Sequence, residues 1–210
     1  MVFLSQTAVE KRIDEIFQKG TYNPKGFSRQ SSYDLRLGEE VLVTPMKEPI
    51  YLKESQVVNI EPGQFAALTT EEYITIPKDL LGFITIRFKY KSKGLVNISG
   101  FHVDPLFKGK LIFSVYNVGP TVVTLRRGEK VFSIFFSKIE PSVDPDKPES
   151  KEYDEIHKIP LDIVQALAGM NVPSLQKLDG EIKQTRTIIE IYGVIITGII
   201  ITLLVALLIK

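Results

Sequence analysis

Asp104 stands in GFHVDPLFKGKLIFSVYN, residues 100–117, where one acid before a proline interrupts a run of β-branched and aromatic residues. Asp before Pro is well suited to start a type I turn. A carboxylate held in such a hairpin is equally a candidate catalytic acid or base. On these residues alone both uses stay open. A second set is cationic: Lys89, Lys91 and Lys93 follow Arg87 in IRFKYKSKGL. Their spacing of two predicts one face of a strand, serving either as a solvated face or as the wall of an anion channel. The chain has no cysteine, which removes disulfides, thiolate metal sites and thiol chemistry. Its two histidines, His102 and His157, are too few for a histidine-rich cluster, so a metal would have to rest on carboxylates and phosphate oxygens, which points away from zinc.

These groups need a scaffold, and 210 residues suffice for one domain with an appendage. Residues 5–19 carry Val9, Ile13, Ile16 and Phe17 at helical spacing behind Ser5 or Thr7 as caps, with Gly20 as a stop, which predicts one amphipathic helix. From Tyr33 to Glu140 the pattern becomes short apolar runs such as EEVLVT, FITIRFK, TVVTLRR and KVFSIFF between Gly, Pro and charged turns. Many short strands predict an all-β barrel or sandwich. The division expected is a globular domain over 1–140, a proline- and charge-rich linker over 141–173, a helical stalk over 174–190 and a transmembrane helix over 191–209. The last segment, IYGVIITGIIITLLVALLI, has 19 residues without a charge, close to the ~20 that span a bilayer.

Leu175, Leu178, Ile182, Thr185, Ile189 and Tyr192 alternate spacings of three and four, a heptad stripe that suits self-association. Lys177, Lys183 and Arg186 precede the apolar span and Lys210 follows it, which predicts that the globular part faces the cytoplasm. The N-terminus lacks the apolar run and cleavage pattern of a signal peptide. A formal net charge of +1 gives no global field for nucleic acid.

Read in order, QSSYDLRLG at 30–38, EPGQFAALTTEEYITIPKDLLGFITIR at 61–87, KGLVNISGFHVDP at 93–105, GKLIFSVYNVGP at 109–120 and RRGEKVFSIFF form a series. It resembles the dCTP deaminase family and its sister trimeric dUTPases, from the N-terminal helix to about Glu140. The resemblance implies a distorted jelly-roll-like barrel, assembly as a homotrimer, and nucleotide sites between subunits. It puts Asp104 beside the sugar and the reacting base or water. It gives Asp34 a role supporting a Mg²⁺-bound triphosphate, against the alternative of a surface ion pair with Arg36 or another base. Arg87 falls where the family sets an Arg against phosphate oxygens, with Lys89 and Lys91 beside it, and Asn117 and Gly119 match a strand-end turn that meets phosphate.

The chain also departs from that pattern. Phe88 and Lys89 follow Arg87 where deaminases carry Ser residues, and Ser114 stands where they carry a catalytic Glu. A serine hydroxyl cannot take and return protons as a tuned carboxylate does, and general acid-base catalysis contributes about 10²- to 10⁴-fold. Ser133 replaces the dUTPase Gln, and the glycine-rich closing arm is missing. The expectation is therefore a membrane-anchored trimer that binds a nucleotide or another phosphate-bearing small molecule as a sensor or regulator without deaminating it. Two alternatives remain: a dUTPase-type hydrolase or deaminase working through Asp104, and a trimeric membrane scaffold that binds nothing.

Overall fold

The computed structural model describes residues 2–146, 155–168 and 175–209. Its strands are β1 (Val2–Phe3), β2 (Phe27–Arg29), β3 (Ser32–Val43), β4 (Ile50–Tyr51), β5 (Val57–Ile60), β6 (Phe65–Thr75), β7 (Leu80–Ile86), β8 (Leu95–Asn97), β9 (His102–Val103), β10 (Lys108–Asn117), β11 (Val123–Arg126) and β12 (Lys130–Lys138). The helices are α1 (Gln6–Glu10), α2 (Ile13–Ile16), α3 (Phe88–Lys91), α4 (Leu161–Ala168) and α5 (Leu175–Leu208).

The main sheet runs β8-β10-β6-β3-β12-β7-β9, with β1 beside β12 and β2 and β4 beside β3; β5 and β11 form a separate pair. Strand β3 is long enough to serve two layers. Its first residues, Tyr33 to Arg36, pair with β12, and Leu37 to Val43 pair with β6 across a register shift. Alternation shows which face is inward: on β10, Leu111, Phe113 and Val115 are buried, while Lys110, Ile112, Ser114 and Tyr116 are half-buried on the other face. Phe113 and Phe132 stack at 3.8 Å between ring centres, joining the layers across the core. The architecture is all-β, as the short apolar runs predict, and is the distorted barrel that the family resemblance implies.

Two expectations for the flanking segments need correction. The N-terminal helix is two short pieces rather than one. Ser5 caps the first, its hydroxyl accepting from the Ala8 N–H at 3.4 Å. The helix breaks at Arg12, whose guanidinium forks onto Asp79 at 2.7 and 2.8 Å and also bonds Glu15. Val9, Ile16 and Phe17 still bury their apolar faces.

The expected linker, 141–173, is not an open connection where it is described. Ile156 pairs in parallel with Gly109, where a side chain would overlap the Ile156 backbone. The Ile159 N–H then donates to the buried Glu40 carboxylate at 2.9 Å, and α4 packs Ile163, Val164 and Leu167 over Leu42, Ala67 and Ile112 on the outer face of the sheet. Composition marked this stretch as polar, but its few apolar residues fall where that outer face is itself apolar. The compact unit therefore takes in residues 155–168. Residues 147–154 and 169–174 of the expected linker lie outside the described residues.

The second unit is α5. The expected stalk and span are one continuous helix of 34 residues, and Leu178–Leu208 is long and apolar enough to cross a membrane.

Candidate functional site

Asp104 follows the edge strand β9, which pairs with β7 through Gly82–Val103 and Phe83–His102. The Phe107 N–H donates to the Asp104 carbonyl at 3.3 Å, and Leu106 takes φ +68°. A positive φ at the third position makes this a type II turn, not the type I expected from Asp-Pro. Leucine tolerates that conformation because its N–H donates to the Ile76 carbonyl at 2.8 Å, which pins the turn to the neighbouring strand end. His102 Nε2 stands 3.4 Å from Asp104 Oδ1. The sequence reading used His102 only in a metal count, although two residues along a strand it already had to share a face with Asp104.

Asp104 and His102 border a cavity of about 240 Å³. Ser99 adds a hydroxyl, Ile84 and Leu111 form the sheet wall, and Ile156 and Ile163 of the returning segment form the opposite wall. The Ser99 hydroxyl donates to Asn97 Oδ1 at 2.6 Å and accepts from the Ser114 N–H at 3.3 Å. Ser114 thus flanks the cavity through its backbone, two residues along the outward face from the wall residue Ile112. A mainly apolar hollow of this size, with Ser99, His102 and Asp104 at its polar edge, suits a base or a sugar rather than a whole triphosphate.

Arg87 is elsewhere. Its N–H donates to the Val131 carbonyl, and it begins α3 rather than continuing β7. The residues of β7 level with His102 and Val103 are four and five positions earlier, so roughly 13 to 17 Å of strand separates Arg87 from the Asp104 hairpin. Asp34, only 1% exposed, is the partner of Arg87: Oδ2 lies 3.3 Å from Nε. That contact lacks hydrogen-bond alignment, so Oδ2 is held by charge, while Oδ1 accepts from the Ser133 hydroxyl at 2.7 Å. The Asp34 carboxylate is therefore buried against a guanidinium in this chain. The alternative, an ion pair with Arg36 or another base, is found with Arg87 as the base, but it is buried on the Asp34 side rather than at the surface, and Arg36 bonds Glu72 at 2.8 Å instead.

The lysine face is corrected. Phe88–Lys91 is a helical turn, which sends residues two apart to opposite sides. Lys89 pairs with Glu129 at 2.7 Å and lies over the Tyr90 ring, while Lys91 is exposed. Burial pushes the Glu129 carboxyl up, but the hydrogen bonds from Lys89 and Tyr90 outweigh it and leave the group below the ordinary range. Asn117 and Gly119 lie near this turn, as the Val118 N–H donates to the Gly94 carbonyl. The Asn117 amide donates to the carbonyls of Ile60 and Thr121 at 2.8 and 2.9 Å, and its oxygen accepts from Gly119 N–H at 2.9 Å. A Cβ on Gly119 would overlap the Lys93 carbonyl oxygen, so close backbone approach explains this glycine. The structure thus gathers Arg87, Asp34, Lys89, Asn117 and Gly119 toward one end of the barrel and leaves Asp104 toward the other.

The sequence pattern described as dCTP deaminase-like matches residues 3–139, nearly the whole of this barrel. The chain belongs to the dCTP deaminase-like family. It is 31% identical over 134 residues to the dCTP deaminase of Idiomarina loihiensis, covering 62% of this chain and 69% of that protein. It is 33% identical over 132 residues to the dCTP deaminase of Pyrococcus furiosus, covering 62% and 79%. The crystal structure of 2'-deoxycytidine 5'-triphosphate deaminase from Agrobacterium tumefaciens superposes with a TM-score of 0.56 at 15% identity, over 66% of this chain and 49% of that one, and shows the shared fold. Both α4 and α5 of this dCTP deaminase-like chain lie beyond the matched residues. The wall that Ile156 and Ile163 add to the Asp104 cavity is therefore outside the family pattern.

Proposed function

We propose that this chain is a membrane-anchored dCTP deaminase-like protein that binds a nucleotide or related phosphate compound, without deaminating it, as a sensor or regulator. The observation that carries this is the Asp104–His102 cavity with Ser114 on the strand beside it. The cavity keeps an acid and a polar rim for a base or sugar, yet the strand supplies no carboxylate to shuttle protons. Phe88, 81% exposed, occupies the place after Arg87 where a hydroxyl would be needed to hold water. The separation of the two ends favours a homotrimer, because one copy alone does not bring Arg87 to Asp104 and a neighbour's Arg87 end can supply the phosphate contacts. Magnesium, where it takes part, comes with the nucleotide's phosphates and not at Asp34. The anchor is α5, with the barrel on the cytoplasmic side.

The full chain in detergent, melted with deoxy- and ribonucleotides, tests binding, since a ligand at 100 times its Kd adds about 2.7 kcal/mol. Parallel assays read ammonia from dCTP and pyrophosphate from dUTP. A stabilising nucleotide with neither product supports the reading. Turnover near the median enzyme rate of about 10 s⁻¹ overturns the non-catalytic part, and no stabilisation by any nucleotide at millimolar concentration overturns the sensor. In that last case the scaffold reading stands, which the Arg87–Asp34 pair favours because it neutralises the phosphate-binding cation within the chain.

A further inference from the structure

The part of α5 ahead of the uncharged span carries an exposed apolar stripe. Leu178, Ile182 and Ile189 are 38%, 65% and 65% exposed, in a stretch whose other positions include Asp179, Gly180, Glu181, Lys183, Gln184, Arg186 and Thr187. Residues 175–190 extend for about 24 Å as helix before the charge-free segment begins. In the heptad that places Ile182 and Ile189 at the first core position and Leu178 and Thr185 at the second, Gly180, Lys183 and Thr187 fall on the far side, and all three are exposed. Glu181 and Arg186 flank the stripe, lining one groove with Leu178, Ile182, Thr185 and Ile189.

We infer that this face binds a second copy of the same helix in parallel register, with Glu181 of one copy against Arg186 of the other. The inference rests on the membrane anchoring proposed above, which sends every copy into the bilayer in the same direction and so leaves only parallel pairing. In a parallel coiled coil the residue before the first core position faces, on the neighbouring helix, the residue five further along. Glu181 and Arg186 hold those two positions with opposite charge. Within one chain they cannot meet, since residues five apart are about 140° around the helix. Within the chain Arg186 bonds Glu190 at 3.2 Å and Asp179 bonds Lys183 at 2.7 Å, whereas parallel pairing sets Glu181 against Arg186 of the neighbouring copy.

The absence of native cysteine makes the test direct. In membranes holding the full chain, Ile182→Cys and, separately, Ile189→Cys are expected to form a covalent dimer on mild oxidation at least about fivefold more than Thr187→Cys on the far face. Adding Arg186→Glu to Ile182→Cys should cut that yield severalfold, and adding Glu181→Arg as well should restore it. The restoration cannot come from the intrachain Arg186–Glu190 pair, which the double exchange leaves broken. Equal yields on the two faces, or no dimer from either core position, overturns the pairing; loss without restoration overturns the Glu181–Arg186 register. Alkaline extraction of the same membranes reads the anchor separately. A chain washed into the supernatant overturns the anchoring and the parallel constraint with it, whereas a retained chain that fails the cross-linking overturns the pairing alone.

Discussion

Replacing Arg87 by alanine should destabilise the barrel more than replacing its partner Asp34 by asparagine. Arg87→Ala leaves a carboxylate whose side chain is 2% exposed with one remaining hydrogen bond, from Ser133. Removing one member of a fully buried pair costs about 3 to 5 kcal/mol. The Arg87 side chain is 33% exposed, so water screens part of that charge and reaches the space it vacates, and the expected loss falls to about 2 to 3 kcal/mol. For a unit of this size that is a drop of about 4 to 12 °C in Tm. Asp34→Asn keeps an oxygen to accept from Ser133 and strands no buried charge, while Arg87 turns to solvent, at a cost of about 1 kcal/mol. The double variant should therefore melt higher than Arg87→Ala alone. Thermal melts of the four full-length proteins in one detergent decide this. If the two losses simply add, or Asp34→Asn is the worse variant, the charge pairing is not what holds Asp34. If Arg87→Ala melts like the parent yet loses nucleotide binding, Arg87 works as a phosphate clamp rather than as a structural cation.

Glu72, fully buried, has its carboxyl raised above the ordinary range: burial pushes it up, and the hydrogen bonds from the Arg36 side chain and N–H only partly pull it back. The folded state then holds the proton more tightly than the unfolded one, so stability from this group is full below the ordinary carboxylate range and falls as pH rises toward the raised value. Glu72→Gln should flatten Tm against pH in that window, and an unchanged slope would show that other groups set it. Glu40→Ala removes the acceptor of the buried Ile159 N–H, at about 1 to 3 kcal/mol for that unpaired donor, while the exposed Tyr51 hydroxyl turns to water, and limited proteolysis should then cut within residues 155–168 while sparing the barrel strands. Gly119→Ala should prevent accumulation of folded protein, as read by soluble yield after detergent extraction, because the clash is with the Lys93 backbone and not with a side chain that can turn away.

What the sequence determined by itself was what depends on local order. The short apolar runs bounded by Gly, Pro and charged turns specified an all-β barrel or sandwich, because run length and the turns between runs are set locally, whatever the strands later pair with. The uncharged run from Ile191 to Ile209 specified a helix able to cross a bilayer, since length and hydropathy alone set that. The ordered segments from residue 30 to residue 136 carried the family in the same way. The tertiary structure decided which charges meet. Asp34 and Arg87 are 53 positions apart, and only the placement of β12 between β3 and β7 brings them to 3.3 Å with Ser133 beside them. The same holds for residues 155–168: their polar composition reads as linker, but Glu40 and the apolar outer face of β3, β6 and β10 give Ile159 and Leu167 a surface to cover. Lys89 and Lys91 left their expected strand face because the chain turns at Arg87, where β7 ends and its N–H finds Val131, a partner that no spacing within the segment encodes. Local pattern fixes the period of an element, whereas ion pairs, docking faces and strand ends follow from contacts between residues distant in the chain.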